Sequence, residues 1–136
     1  MIKATKLTIV VFFLFIMQSQ AINVIKSDAT TVAHNFYYER NNQNSYLDYN
    51  STLVGEVFEL KIRSNTVIFV VNFIDGGWVA ISGEYAVKPI IAYSFSGNYN
   101  PEFMPDNFKA WISQYKIQIY EVIQNGILPS SNVKEM

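Results

Sequence analysis

Acid–base or nucleophilic chemistry in this 136-residue chain would have one imidazole to work with, His34, and no thiol. A serine or threonine nucleophile needs a base within hydrogen-bond reach, and His34 is the single histidine that could serve. It sits between the apolar positions of a helical stretch, where a solvated or cap-side role is expected. The acids available for paired-carboxylate chemistry, such as Glu56, Glu59, Asp75 and Glu84, are scattered over strand faces and turns. A transition-metal site would need carboxylates to complete its ligand set around one nitrogen. Asp75-Gly76-Gly77 has neither the lysine nor the following helix of a phosphate loop. Catalysis is the weaker expectation, and no metal or cofactor is implied.

The first 21 residues read as a separate unit. Lys3 and Lys6 form a basic head, and Leu7 to Met17 is an apolar run interrupted only by Thr8. Ser19 and Ala21 then offer small residues at the two positions a signal peptidase reads. A spanning helix needs roughly 18 to 20 apolar residues, so this run is too short for an anchor. Residues 1–21 are therefore expected to be a cleaved signal peptide, followed by one domain over 22–136, exported to the periplasm or beyond with no stable membrane anchor. Removing the leader takes two of the ten basic residues and none of the eleven acidic ones. The remaining acidic chain shows no basic stripe of the kind nucleic-acid binding requires. With no cysteine, its stability must come from packing, which is ordinary for a domain of this length. A soluble monomer is expected.

The elements follow from periodicity. SDATTVAHNFYYER places Ala29, Val32, Ala33, Phe36 and Tyr37 at helical spacing, with Ser27 or Asp28 available as the cap. A polar, Asn-rich segment over 41–51 reads as a loop. In VFELKIR the period changes to two, with Phe58, Leu60 and Ile62 on one side and Glu59 and Lys61 on the other. Ser64-Asn65 predicts a turn into TVIFVVNF, whose branched and aromatic residues suit a central strand. The Ile74-Asp75-Gly76-Gly77 connection predicts a hairpin into Trp78–Ser82, and Pro89 opens a further strand, IIAYS. After a loop over 96–107, Phe108, Trp111, Ile112, Tyr115, Ile119, Val122 and Ile123 mark a helix started by Pro105 or Asp106 and stopped by Gly126 and Pro129. The expected class is α+β: an antiparallel sheet of about four strands flanked by an N-terminal and a C-terminal helix.

The series VVNFIDGGWVAIS, PIIAYSFSGNY and PDNFKAWISQYKIQI resembles the propeptide of streptopain-type cysteine proteases and its stand-alone relatives, the streptopain inhibitor (Spi) family. The resemblance rests on Asn72-Phe73, Gly76-Gly77-Trp78-Val79, Ser82, Pro89, Tyr93-Ser94, Trp111, Tyr115 and Gln118-Ile119, with Ala33, Asn35 and Phe36 in the first helix. Two departures bear on partner choice. Gly83-Glu84-Tyr85-Ala86 stands where relatives carry a charged segment, and Ala92 stands where they have glycine.

The resemblance implies a propeptide-like fold and a streptopain-like cysteine protease as partner, inhibited by occlusion of its cleft and displacement of its catalytic histidine. Asn107 matches the asparagine that enters the cleft in the precursor, with the alternative that it merely caps its helix. The adjoining Tyr99, Phe103, Met104, Pro105 and Asp106 complete the expected protease-binding set. A propeptide-like binding or adhesion module, or a folding assistant acting in trans, are the alternatives to inhibition. The sequence runs 17 residues beyond Ile119, so a domain without an attached protease is expected.

Overall fold

Asn65–Phe73, nine residues without a charge, forms a strand whose last seven side chains are all buried. A strand buried on both faces must be central and covered above and below. The computed structural model supplies both covers. It describes residues 23–43 and 46–129, and the expected signal peptide, residues 1–21, lies outside the described residues.

In chain order the elements are helix α1 (Lys26–Asn41), a short 3-10 turn (Tyr49–Ser51), strands β1 (Val54–Ile62), β2 (Asn65–Phe73), β3 (Trp78–Ser82) and β4 (Ile90–Ser94), and helix α2 (Asp106–Asn125). The strands form one antiparallel sheet in the order β1-β2-β3-β4. The α+β architecture with a four-stranded antiparallel sheet and two terminal helices is therefore as expected. Alternation along β3 divides its side chains between two cores. Val79 and Ile81 join Phe69, Val71 and Phe73 beneath α1, whereas Trp78 and Ala80 join Ile68 and Val70 beneath α2.

Helix α1 approaches closely because its contact stripe begins with two alanines, Ala29 and Ala33, both fully buried, and ends in Tyr37. The Tyr37 ring stacks on Phe73 at 3.9 Å, and its hydroxyl donates to the Gly76 carbonyl at 2.8 Å. This contact explains the diglycine. Gly77 has φ +91°, and a Cβ there would lie 2.6 Å from the Tyr37 ring. Only glycine meets both conditions without strain.

Helix α2 buries Ile112 and Ile119, two turns apart, and lays Phe108, Trp111, Tyr115 and Ile123 over the same core. It ends on Gly126 at φ 59°, with the Gly126 and Ile127 N–H groups returning to Ile123 and Val122. This paired closure satisfies carbonyls that the helix end would otherwise leave free.

Several local expectations are corrected. Helix α1 is capped by Ile25 without a side-chain hydrogen bond, so neither Ser27 nor Asp28 is the cap. The chain before the helix is already pinned by Val24 N–H donating to Gly83 O at 3.0 Å, which fixes where the helix enters. Val32 is 37% exposed, because the helix meets the sheet through Ala29, Ala33 and Tyr37 with Phe36 packed beside them. Strand β1 starts three residues before the expected run, and its turn is made by Arg63, at φ 54°, with Ser64.

Candidate functional site

The loop between β4 and α2 is held from below by one side chain. Asn72, on central strand β2 and buried, donates from Nδ2 to the Tyr99 carbonyl at 2.9 Å and accepts at Oδ1 from the Tyr99 N–H, also at 2.9 Å. The amide serves the Tyr99 backbone as a neighbouring strand would, with one donor and one acceptor. Asn72 also explains itself: a buried amide in an apolar strand requires partners, and this pair supplies them.

The Tyr99 ring is 4% exposed and meets Phe58, Trp78 and Phe108 at centroid distances of 5.4, 6.0 and 6.3 Å. Burial raises its phenol pKa above the ordinary value. Past this anchor the chain turns on Asn100, whose Oδ1 accepts from Glu102 N–H at 2.9 Å and whose carbonyl accepts from Phe103 N–H at 3.1 Å. Lys109 reaches back from α2, its Nζ donating to Glu102 O at 3.4 Å and its backbone N–H to Pro105 O at 2.9 Å.

Between these ties Phe103 stands 80% exposed, while the next residue, Met104, packs partly into the core beneath α2. Pro105, Asp106 and Asn107 are exposed at the start of the helix. Pro105 is the N-cap and Asn107 is the second residue inside the helix, so the capping alternative for Asn107 is corrected. Its Oδ1 accepts from the adjacent Phe108 N–H at 2.9 Å, and the residue is exposed. Of the six expected contact residues, Phe103, Pro105, Asp106 and Asn107 thus share one exposed ridge. Met104 supports it, and Tyr99 roots it with a ring that the core occupies. The role of Asn72 is what sequence reasoning missed. The signal was present as a lone amide in TVIFVVNF, but its partner lies 27 residues away.

This framework is the one the sequence motifs had marked, and comparison with known proteins places it. The Spi protease inhibitor family matches residues 21–119. The chain belongs to that family. Membership of a protease-inhibitor family points to a non-enzymatic role and a protease partner. A thiol protease/haemagglutinin, PrtT, from Porphyromonas gingivalis is 25% identical over 118 residues. The match covers 85% of this chain and 13% of that protein. No solved structure matches.

Two other features of this Spi-family chain take their place in the framework. His34 is tied by Nε2 to the Thr52 carbonyl at 2.8 Å and meets the edge of Tyr49 at 4.4 Å, so it buttresses the 3-10 turn and is not a solvated histidine. The segment Gly83 to Ala86 is mostly interior. Gly83 is pressed against the Thr66 carbonyl, where a Cβ would overlap it, Glu84 is 2% exposed, and only Tyr85 is open to solvent. Among the described residues no helix is long and apolar enough to cross a membrane, and no group of three or more His, Asp or Glu could hold a metal ion.

Proposed function

We propose that this protein is an exported inhibitor of a streptopain-like cysteine protease. The ridge Phe103–Asn107 enters the active-site cleft and holds the catalytic histidine away from its cysteine. A cysteine protease needs its thiolate generated and kept by the neighbouring imidazole, so separating the two abolishes attack without any covalent step. The observation that carries this reading is the exposed Phe103 on a loop whose backbone is fixed from inside by Asn72. Leaving a phenylalanine in water on an ordered loop is the arrangement of a binding anchor, since the ordering cost is met before association. The Asn107 amide can donate and accept beside it without offering a scissile bond.

Export follows from the basic, apolar and small-residue sequence of positions 1–21, with the mature chain starting at Ile22 as a monomer. The test is titration of the protein against a streptopain-type protease, reading residual activity and complex formation. Stoichiometric loss of activity supports the reading. Binding without loss of activity replaces inhibition with a non-inhibitory binding module, and improved recovery of active protease only during refolding replaces it with a folding assistant.

A further inference from the structure

Phe103 has the exposure of a cleavage site, yet the backbone around it is already engaged from within the domain. Asn100-Pro101-Glu102-Phe103 forms a turn in which Phe103 N–H donates to Asn100 O at 3.1 Å, and asparagine followed by proline suits its first two positions. The Asn100 side chain closes the turn a second time, its Oδ1 accepting from Glu102 N–H at 2.9 Å. Glu102 O accepts from Lys109 Nζ at 3.4 Å. Both main-chain groups of Glu102 and the N–H of Phe103 thus have internal partners. On the far side Met104 packs partly beneath α2, and Pro105 has no N–H to offer.

A protease cleft reads a peptide much as a sheet accepts an added strand: the segment lies extended, and the N–H and C=O of one residue both pair with the enzyme. For the bond between Phe103 and Met104 to be cut, Glu102 would be the residue that pairs on the acyl side. Cleavage would join the enzyme's thiolate to the Phe103 carbonyl carbon, break the C–N bond and pass the imidazolium proton to the Met104 amine, with water afterwards releasing the acyl group as a carboxylate. The chain cannot straighten for this without giving up three hydrogen bonds. We propose that the turn closed by Asn100 keeps the ridge from being a substrate, so that the protein persists as an inhibitor, and that Asn100 is the positioning residue on which this depends. The inference rests on the inhibitor reading above. Lys109 holds Glu102 from the helix side. Phe103 therefore presents its side chain to the protease while its peptide bonds stay out of line with the nucleophile.

The test has two arms on the same proteins: the parent, Asn100→Ala, Asn100→Asp, and Asn100→Ala combined with Lys109→Ala, each with a melting curve to establish that it is folded. In the first arm an endopeptidase that cuts after aromatic residues is added, and mass spectrometry follows cleavage between Phe103 and Met104. The parent should survive, as should Asn100→Asp, which keeps an oxygen acceptor for Glu102 N–H. Asn100→Ala should be cut faster by on the order of tenfold, and the double variant faster still. Cleavage after the buried Trp78, followed in the same digest, reports global unfolding; an equal rise there overturns a local role for the turn. In the second arm each protein is incubated with a streptopain-type protease. Inhibition by the parent should hold, whereas inhibition by Asn100→Ala should decay as cleavage within residues 101–104 appears. If Asn100→Ala does not fold, Lys109→Ala alone carries the comparison, since it leaves the Lys109 N–H bond to Pro105 O in place. Equal cleavage of folded parent and variants overturns the proposal. If the first-arm difference is present but the parent does not inhibit, the proposal falls through the inhibitor reading and not at the turn.

Discussion

Replacing Asn72 by alanine removes both hydrogen bonds that hold the Tyr99 backbone and leaves a buried N–H and C=O without partners. Each bond measures 2.9 Å and both ends are buried. A net contribution of about 0.5–1.5 kcal/mol per bond, with about 1–3 kcal/mol for each buried group left unsatisfied, gives a loss of roughly 2–4 kcal/mol once partial relaxation is allowed. Asn72→Asp keeps the acceptor for Tyr99 N–H but turns a carboxylate oxygen toward the Tyr99 carbonyl, so it should lose at least as much. Urea unfolding with an unchanged m-value measures the loss. The second consequence concerns binding. In protein that remains folded, one or two residues beside Tyr99 must be newly ordered at association, at about 1–2 kcal/mol for each. Inhibition should therefore weaken by on the order of tenfold to a hundredfold without any contact residue having changed. A stability loss below about 1 kcal/mol would show that Tyr99 finds other partners. An unchanged inhibition constant in Asn72→Ala would refute the claim that Asn72 organises the ridge.

Phe103→Ala should leave the melting temperature unchanged, because the side chain is 80% exposed, yet weaken inhibition by at least roughly 2 kcal/mol, about thirtyfold, in a titration against the protease. Asn107→Ala loses one exposed hydrogen bond to Phe108 N–H, so its stability cost by thermal melting should stay below about 1 kcal/mol while inhibition falls by a similar thirtyfold; equal inhibition would remove Asn107 from the contact. Gly77→Ala forces a Cβ into the Tyr37 ring at φ +91° and should destabilise by at least about 2 kcal/mol in urea unfolding. Burial raises the folded-state pKa of Glu84. The folded chain then binds that proton more tightly, and the stability it contributes is complete below the unfolded pKa and lost as pH rises through the folded one. Unfolding between pH 4 and 8 should show this decline in the parent and not in Glu84→Gln.

The sheet and both helices were legible because their patterns are local. Phe58, Leu60 and Ile62 alternate, Ile112 and Ile119 recur at two helical turns, and Gly76-Gly77 marks its own hairpin. What escaped depends on distant atoms. The start of α1 is set by the pairing of Asn23 and Val24 with Gly83 and Glu84, some 60 residues away, so the favourable cap residues Ser27 and Asp28 fall inside the first turn. Glu84 reads as a solvated acid in sequence and is interior because Gly83 lets the chain press against Thr66. The ridge itself was placed by resemblance, and its residues carry no local pattern that separates the anchored Tyr99 from the projecting Phe103. That distinction comes from Asn72 and from the aromatic neighbours Phe58 and Trp78, which lie on other strands.

Asn72 touches only main-chain atoms of Tyr99, and the far end of the loop is fixed by the Lys109 N–H on Pro105 O. Both tethers are indifferent to the side chains carried between them. Residues 101–103 can therefore diverge at little cost to the scaffold, provided that Asn100 keeps its turn and an apolar side chain still occupies the place of Met104. A lineage facing a changing protease could rewrite this short cassette while the sheet below stayed constant. The same property makes the loop a place to graft new sequences, and a library varied at Pro101, Glu102 and Phe103 would explore targets without renegotiating the fold.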